Sequence, residues 1–416
     1  MIRSTAVLWA VSCLLSNLLP GADWPQWRGP NRTDVSSETG LLQEWPKTGP
    51  RRVWLFTDAG LGYSGFAIVE GRLYTLGARK GAEQLLALDA AAGKELWAAD
   101  AGPMLDNNWG NGPRGTPAVE GGRVYALSAR GHLICAQAAD GKVLWKKTME
   151  EFGGQVPDWG YTESVLVDGD KVVCTPGGSR GAILALNKMT GEPVWQSKEF
   201  KDGAQYASLI AADHNGARQL IQLTQKSVVG VDAKDGKLLW RTDWNGRTAV
   251  IPTPIFHDGH VYVTSGYGAG CKLVKIGKDN ALKQVYANKL MKNHHGGVIL
   301  LGEHVYGFSD DVGWACQDFK TGELAWSEKG KLGKGAIGCA GNRLYLLEES
   351  SGDVVLIDAS PKGWKEHGRF RLEPQTKLRK PSGRIWTHPV ISNGRLYLRD
   401  QEILYCYDVR ENDSKN

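Results

Sequence analysis

The chain has 416 residues but only seven cysteines, and none of them stands in a CxxC or CxxCH spacing. This excludes a zinc-knuckle arrangement and a covalently attached haem. No nucleophile elbow, P-loop or HExxH pattern occurs, so the common signatures of acyl transfer, nucleotide hydrolysis and metalloproteolysis are missing. Ser, His and Asp residues are plentiful, yet no spacing among them supports a triad. Excess charge is also missing. The formal net charge is +5, and Lys and Arg are spread along the chain rather than clustered, so no nucleic-acid partner is expected. Beyond the N-terminus no apolar run approaches the roughly 20 residues of a spanning helix. No transmembrane segment is expected once the leader is removed.

The leader is the one long apolar run. Arg3 supplies a positive start, Thr5 to Leu19 is almost wholly apolar, and Pro20-Gly21-Ala22 offers a small residue before Asp23. Residues 1–22 therefore read as a signal peptide, which implies a periplasmic or extracellular protein. Ala10 to Cys13 weakly matches a lipoprotein box, but the apolar LLSNLL that follows argues against it. Six cysteines remain after such a cleavage. Cys135, Cys316 and Cys406 occupy one repeat position, so they are held apart and read as small buried residues.

What the chain does contain is glycine, tryptophan and repetition: 53 Gly and 16 Trp against five Met. LLALDAAAGKELW at 85–97 returns as LICAQAADGKVLW at 133–145, ILALNKMTGEPVW at 183–195, VVGVDAKDGKLLW at 228–240 and WACQDFKTGELAW at 314–326. A pattern written at even intervals is usually architecture. Each unit reads as four short strands separated by turn residues, the signature of antiparallel hairpins. The closing aromatics are Trp97, Trp145, Trp195, Trp240, Tyr286, Trp326 and a degenerate seventh near Trp364. Their spacing of about 40–50 residues is that of propeller blades. The second-strand markers Tyr74, Tyr125, Val173, Gln222, Tyr262, Tyr306, Tyr345 and Tyr397 count eight. The last unit lacks a fourth strand, while Arg51 to Phe56, around Trp54, is a strand with no unit before it. Joining the two closes a ring and removes an open sheet edge.

The expectation is thus an all-β, eight-bladed β-propeller of four-stranded antiparallel blades over residues 51–411. A 23–50 N-terminal extension precedes it and a polar tail, 412–416, follows; a monomer is expected. Within the repeat, Asp89 and Asp232 can bond the turn backbone and Gly93 can take a positive φ. Trp54, Trp97, Trp145, Trp195, Trp240 and Trp326 are expected to wedge one blade against the next, each burial contributing on the order of 3 kcal/mol.

The repeated A-x-D-x-x-T-G-x-x-x-W pattern resembles the pyrroloquinoline quinone (PQQ)-type propeller repeat with its tryptophan-docking motifs. The opener DWPQWRGPNRTDVSSETGL also looks like the N-terminus of exported bacterial members. KIGKDNALKQVY and LIDASPKGWKE are degenerate units. Two groups share the pattern: quinoprotein dehydrogenases, which bind the quinone and usually Ca²⁺, and non-enzymatic relatives such as the outer-membrane assembly factor BamB. Fold alone cannot choose between them. The dehydrogenases carry a vicinal cysteine pair and long insertions, whereas this chain has no adjacent cysteines and short loops. No calcium motif can be carried over residue by residue. PQQ with Ca²⁺ stays open as a cofactor, and no metal ligand is assigned.

Chemistry is expected where the repeats are irregular, in the loops leading to each first strand. These bring Trp109 and Arg114, then Trp159, Tyr161 and Glu163, Tyr206, His294 and His295, Lys334, and Trp386 with His388 towards one channel mouth. Together they could line a small-molecule site. Arg114 could neutralise a ligand carboxylate or pair with Glu163 as a plug. Of His294 and His295, at most one should face the channel, as ligand donor, acid–base group or metal ligand. His388 could meet one of them across the channel. Trp109, Trp159 and Trp386 could stack on a flat ring or anchor loops. Lys334 could bond an anion or lie solvated on the rim. The reading favoured is a non-catalytic scaffold of the cell envelope that binds a small molecule or envelope protein at a propeller face. The alternative is a PQQ-dependent alcohol or sugar dehydrogenase.

Overall fold

In the repeated units the second and third strands are apolar on both sides, as in Leu85-Leu-Ala-Leu88, and are buried on both faces. A sheet with two apolar faces must be covered twice, which stacking blades around a ring achieves. The fourth strand alternates buried and exposed positions, as in Glu95–Pro103, because it runs along the rim. The computed structural model describes residues 23–411, and the leader read in residues 1–22 and the tail at 412–416 lie outside the described residues.

Eight antiparallel blades follow in chain order, from Ala67–Val69 in the first to Ile403–Asp408 in the last. All eight second-strand markers fall in second strands. The eighth blade is completed by Arg51–Phe56, which pairs antiparallel with Ile403–Asp408, Trp54 opposite Cys406. The first strands of the first three blades touch one another in turn, as do those of the sixth to eighth, so first strands line the axis and the fourth strands lie outermost.

The repeat motif acts through a local device. Asp89 accepts backbone N–H bonds from Ala91 (2.9 Å) and Ala92 (2.8 Å), Asp232 accepts one from Lys234 (2.8 Å), and Gly93 takes φ +68°. In every blade the third and fourth strands slip register just before the closing aromatic, or at its equivalent position. Such a bulge re-aims a side chain. Here it turns the indole onto the next blade. Trp54, Trp97, Trp145, Trp195 and Trp326 donate Nε1–H to turn carbonyls of Ala90, Ala138, Lys188, Ala233 and Ser360 at 2.8–3.2 Å. Trp240 differs. It is buried between two blades but donates to Gln219 Oε1 (2.7 Å) within its own blade. The facing turn is the degenerate KIGKDNA.

Residues 23–50 are built into the ring rather than appended to it. Trp24 bridges to Ile68 of the first blade. The backbone then crosses the channel, and Val35–Ser36 pairs parallel to Cys339–Ala340 as a fifth strand of the seventh blade. Arg32 fixes the crossing. Its guanidinium donates to the carbonyls of Leu209 (2.5 Å), Ser164 (2.7 Å) and Val165 (2.6 Å) on the inner edges of two blades. The six described cysteines are unpaired and buried.

Candidate functional site

The irregular loops converge on a cavity of about 210 Å³ at one mouth of the channel. Trp109, Arg114, Trp159, Tyr206, His295, Trp386 and His388 all line it. Their spacing in sequence is that of the blades, and the ring brings them face to face. Trp159 meets Tyr206 edge-on at 5.6 Å. The His295 imidazole stacks on Trp386, with centroids 4.3 Å apart and planes 15° apart. Trp386 is held by a bond from Nε1 to Glu349 Oε2 (3.0 Å).

Four other candidates do not line the cavity. Tyr161 is buried and donates its hydroxyl to the Pro176 carbonyl (3.0 Å), an anchor for its loop. Glu163 is turned into the blades, where it accepts from Thr175 N (2.6 Å), Thr175 Oγ1 (2.9 Å) and Gln222 Nε2 (3.3 Å). The Arg114–Glu163 plug is therefore not formed, and the charge opposite Glu163 is Arg32. His294 points to Asp310 Oδ2 (2.5 Å), and Lys334 Nζ donates to Asp310 Oδ1 (3.0 Å). Burial alone would raise Asp310, but the bonds and charges of His294 and Lys334 outweigh it and hold it at about 2. One carboxylate thus takes up two residues read as ligand donors.

The groups that remain are unevenly satisfied. Arg114 donates to the carbonyls of Gly112 (2.6 Å) and Gly110 (2.8 Å), and its guanidinium sits 5.4 Å from the Tyr63 ring centroid. No carboxylate pairs with it among the described residues. Burial lowers its pKa. His388 bonds Asp34 Oδ2 through Nδ1 (3.0 Å) and the His295 carbonyl through Nε2 (2.7 Å). His295 is driven well below the usual histidine range by burial and then by the cations around it.

Sequence reasoning missed part of the lining. Trp27, Arg28, Tyr63 and Tyr267 also face the cavity. Trp27 and Arg28 come from the segment that crosses the channel. Their only signal was the unrepeated opener WPQWRGPNR, which no periodicity places in space. Trp27 Nε1 donates to Thr253 Oγ1 (3.0 Å). Arg28 pairs with Asp34 (2.6 Å) and donates to the Val298 carbonyl (2.5 Å).

The lining also bears on the cofactor left open above. Ca²⁺ takes 6–8 oxygen ligands, chiefly carboxylates and carbonyls. The cavity offers hydroxyls such as Ser164 and Thr253 but no Asp, Glu, Asn or Gln side chain. Among the described residues no group of three His, Cys, Asp or Glu is placed to hold a metal. These residues do not fit a quinone-bound Ca²⁺.

Glu163 yields a pH prediction. Burial pushes it up to about 7 from 4.5, against the Thr175 bonds and the charge of Arg32. Between those values the unfolded chain has lost the proton that the folded chain keeps. Stability from this group is then present at low pH and falls as pH rises through the window, by about 3 kcal/mol. His295 pulls the opposite way in an overlapping range, so the difference between the wild type and Glu163→Gln isolates the effect. Urea unfolding at pH 5 and pH 8 should show the wild type losing more on going to pH 8. Equal losses would refute it.

A family model described as outer membrane protein assembly factor BamB matches residues 81–328. The protein of that name from Burkholderia pseudomallei is 28% identical over 338 residues, covering 76% of this chain and 80% of its own length. The one from Kangiella koreensis is 28% identical over 153 residues, and the match spans 37% of this chain and 35% of that protein. Among solved structures, BamB from Moraxella catarrhalis aligns with a TM-score of 0.62 at 17% identity, covering 88% of this chain and 99% of that one. A quinohemoprotein alcohol dehydrogenase from Comamonas testosteroni aligns equally well, at 0.62 and 14% identity over 95% and 81%. These structural likenesses speak for the fold alone.

Proposed function

On the premise that the chain belongs to the family of the outer membrane protein assembly factor BamB, we propose that it is a non-catalytic scaffold of the cell envelope. It is exported by its leader and works as a monomer. Its aromatic mouth holds a small molecule or a segment of an envelope protein. The observation that carries this reading is the donor set of the cavity: seven aromatic rings, two arginines, two histidines and no carboxylate. A hydride-transferring quinoprotein site needs a metal to polarise the quinone and a base to take the substrate proton. Here the nearby carboxylates Asp34, Asp310, Glu163 and Glu349 are already engaged by cations, buried donors or the Trp386 indole. A rigid ring with one pre-formed aromatic mouth suits binding.

The test uses the mature chain titrated with PQQ and Ca²⁺, with an alcohol or an aldose as reductant and a dye as acceptor. The expected result is no stoichiometric absorbance change and no dye reduction at micromolar quinone. Tight one-to-one binding together with dye reduction would overturn the reading in favour of a dehydrogenase.

A further inference from the structure

We infer that the channel-mouth cavity binds a carboxylate carried on a flat one- or two-ring aromatic body, without a metal. The inference deepens the scaffold reading and rests on it for the absence of turnover. Three independent observations carry it.

The first is an unused donor. Arg28 is 2% exposed and lines the cavity. Its Nε and Nη2 are taken by Asp34 and by the Val298 and Thr33 carbonyls, while Nη1 has no partner among the described residues. Buried guanidinium nitrogens are almost always bonded, so Nη1, itself closed off from solvent, leaves a residue of the cavity wall one acceptor short. His295, in the same wall, likewise has no partner for Nδ1 among the described residues.

The second is charge. The cavity's permanent cations are Arg28 and Arg114, and among the described residues the one carboxylate bonded to either is Asp34, which Arg28 shares with His388. Arg114 has only neutral carbonyls. An excess of positive charge among apolar rings, where screening is weak, favours an anion. A planar guanidinium matches the two oxygens of a carboxylate.

The third is shape. Trp27, Tyr63, Trp109, Trp159, Tyr267 and Trp386 present ring faces and edges to one space. Trp109 is left 46% exposed, a large apolar surface at the rim. At about 210 Å³ the space falls below the roughly 300–1,000 Å³ of drug-sized sites, which limits the body to one or two rings.

The experiment titrates the mature chain with 3-phenylpropanoate, indole-3-acetate and 2-naphthoate, read by tryptophan fluorescence and calorimetry. Acetate, inorganic phosphate and the primary amide of each acid serve as comparisons. At least one acid should bind saturably at one site with a Kd below about 1 mM. Its amide should bind at least about tenfold more weakly, and acetate and phosphate should not saturate. Arg114→Gln should weaken the acid about tenfold and leave the amide unchanged. Because Arg114 also holds its loop, the acid–amide comparison on the unaltered chain is decisive. Equal binding of acid and amide, saturation by acetate or phosphate at the same concentrations, or no saturation by any of the three acids up to about 5 mM overturns the proposal. Failure of this proposal leaves the dye-reduction result untouched, and dye reduction would sink the scaffold reading whether or not the acids bind.

Discussion

Arg399→Leu should cost about 3–5 kcal/mol, a size typical of stripping one partner from a buried charged network. Arg399 is fully buried. Its guanidinium donates to the carbonyls of Gln401 (2.7 Å), Ser64 (3.0 Å), Leu76 (2.7 Å) and Gly60 (3.1 Å) and to Thr75 Oγ1 (3.0 Å). Four of these five acceptors belong to the first blade or the loop before it, and Arg399 belongs to the last. The side chain therefore buckles the ring beside the strand that closes it. Among the described residues no carboxylate bonds it, and burial lowers its pKa to about 9. Leucine would restore apolar volume but leave the carbonyls facing it without donors. Each unpaired acceptor costs about 1–3 kcal/mol, less than additively. Equilibrium urea unfolding is the measurement. A loss below about 1 kcal/mol would show that water replaces the guanidinium without penalty.

Trp145→Ala should be of the same order, about 3–5 kcal/mol for a buried aromatic truncated to alanine. The indole lies between the second and third blades, in one cluster with Leu133, Val172 and Leu184. Its Nε1–H closes the Lys188 carbonyl at 3.1 Å. It rests on Gly191, where an added Cβ would lie 2.8 Å from the ring. Gly191 also takes φ +74°. Gly191→Ala should therefore destabilise as well, by about 1–3 kcal/mol, through strain at a positive φ and displacement of the indole. In both variants thermal unfolding at fixed pH is read together with the urea midpoint. If Trp145→Ala unfolds within about 1 kcal/mol of the wild type, the motif is not what holds the blades together.

The two predictions draw on different kinds of information. The role of Trp145 is legible in the chain because every part of it is local or one repeat away. The Asp, the Gly and the Trp sit in one hairpin, and the carbonyl that receives the indole is 43 residues on. Repetition then multiplies the signal. Trp240 shows the limit: its own unit is regular, but its bond depends on the turn of the next blade, which has degenerated. The pairing of Arg51–Phe56 with the last blade spans the whole chain, yet it too was legible. A surplus strand at one end and a missing one at the other have a single economical solution.

The candidate site was half legible for the same reason. Blade periodicity predicts which loops meet at a mouth, and Trp109, Arg114, Trp159, Tyr206, His295, Trp386 and His388 meet there. Periodicity does not predict which partner each side chain takes. Asp310 claims His294 and Lys334, Glu163 turns from Arg114 towards Thr175 and Arg32, and Asp34 reaches His388 across 354 positions in the sequence. Ion pairs are chosen by distances of a few ångströms that no repeat encodes. The opener was the least legible of all. Residues 23–50 form no repeat, so only the closed ring, with an axial channel edged by inner-strand carbonyls, gives Arg32 its acceptors and places Trp27 and Arg28 in the cavity. The sequence by itself determined eight blades, their closure and the loops at the mouth, because these follow from turn chemistry and nearest-neighbour packing. The tertiary structure alone decided which charges are neutralised and which are left without an ion-pair partner among the described residues, because that depends on through-space contacts between segments the sequence holds far apart.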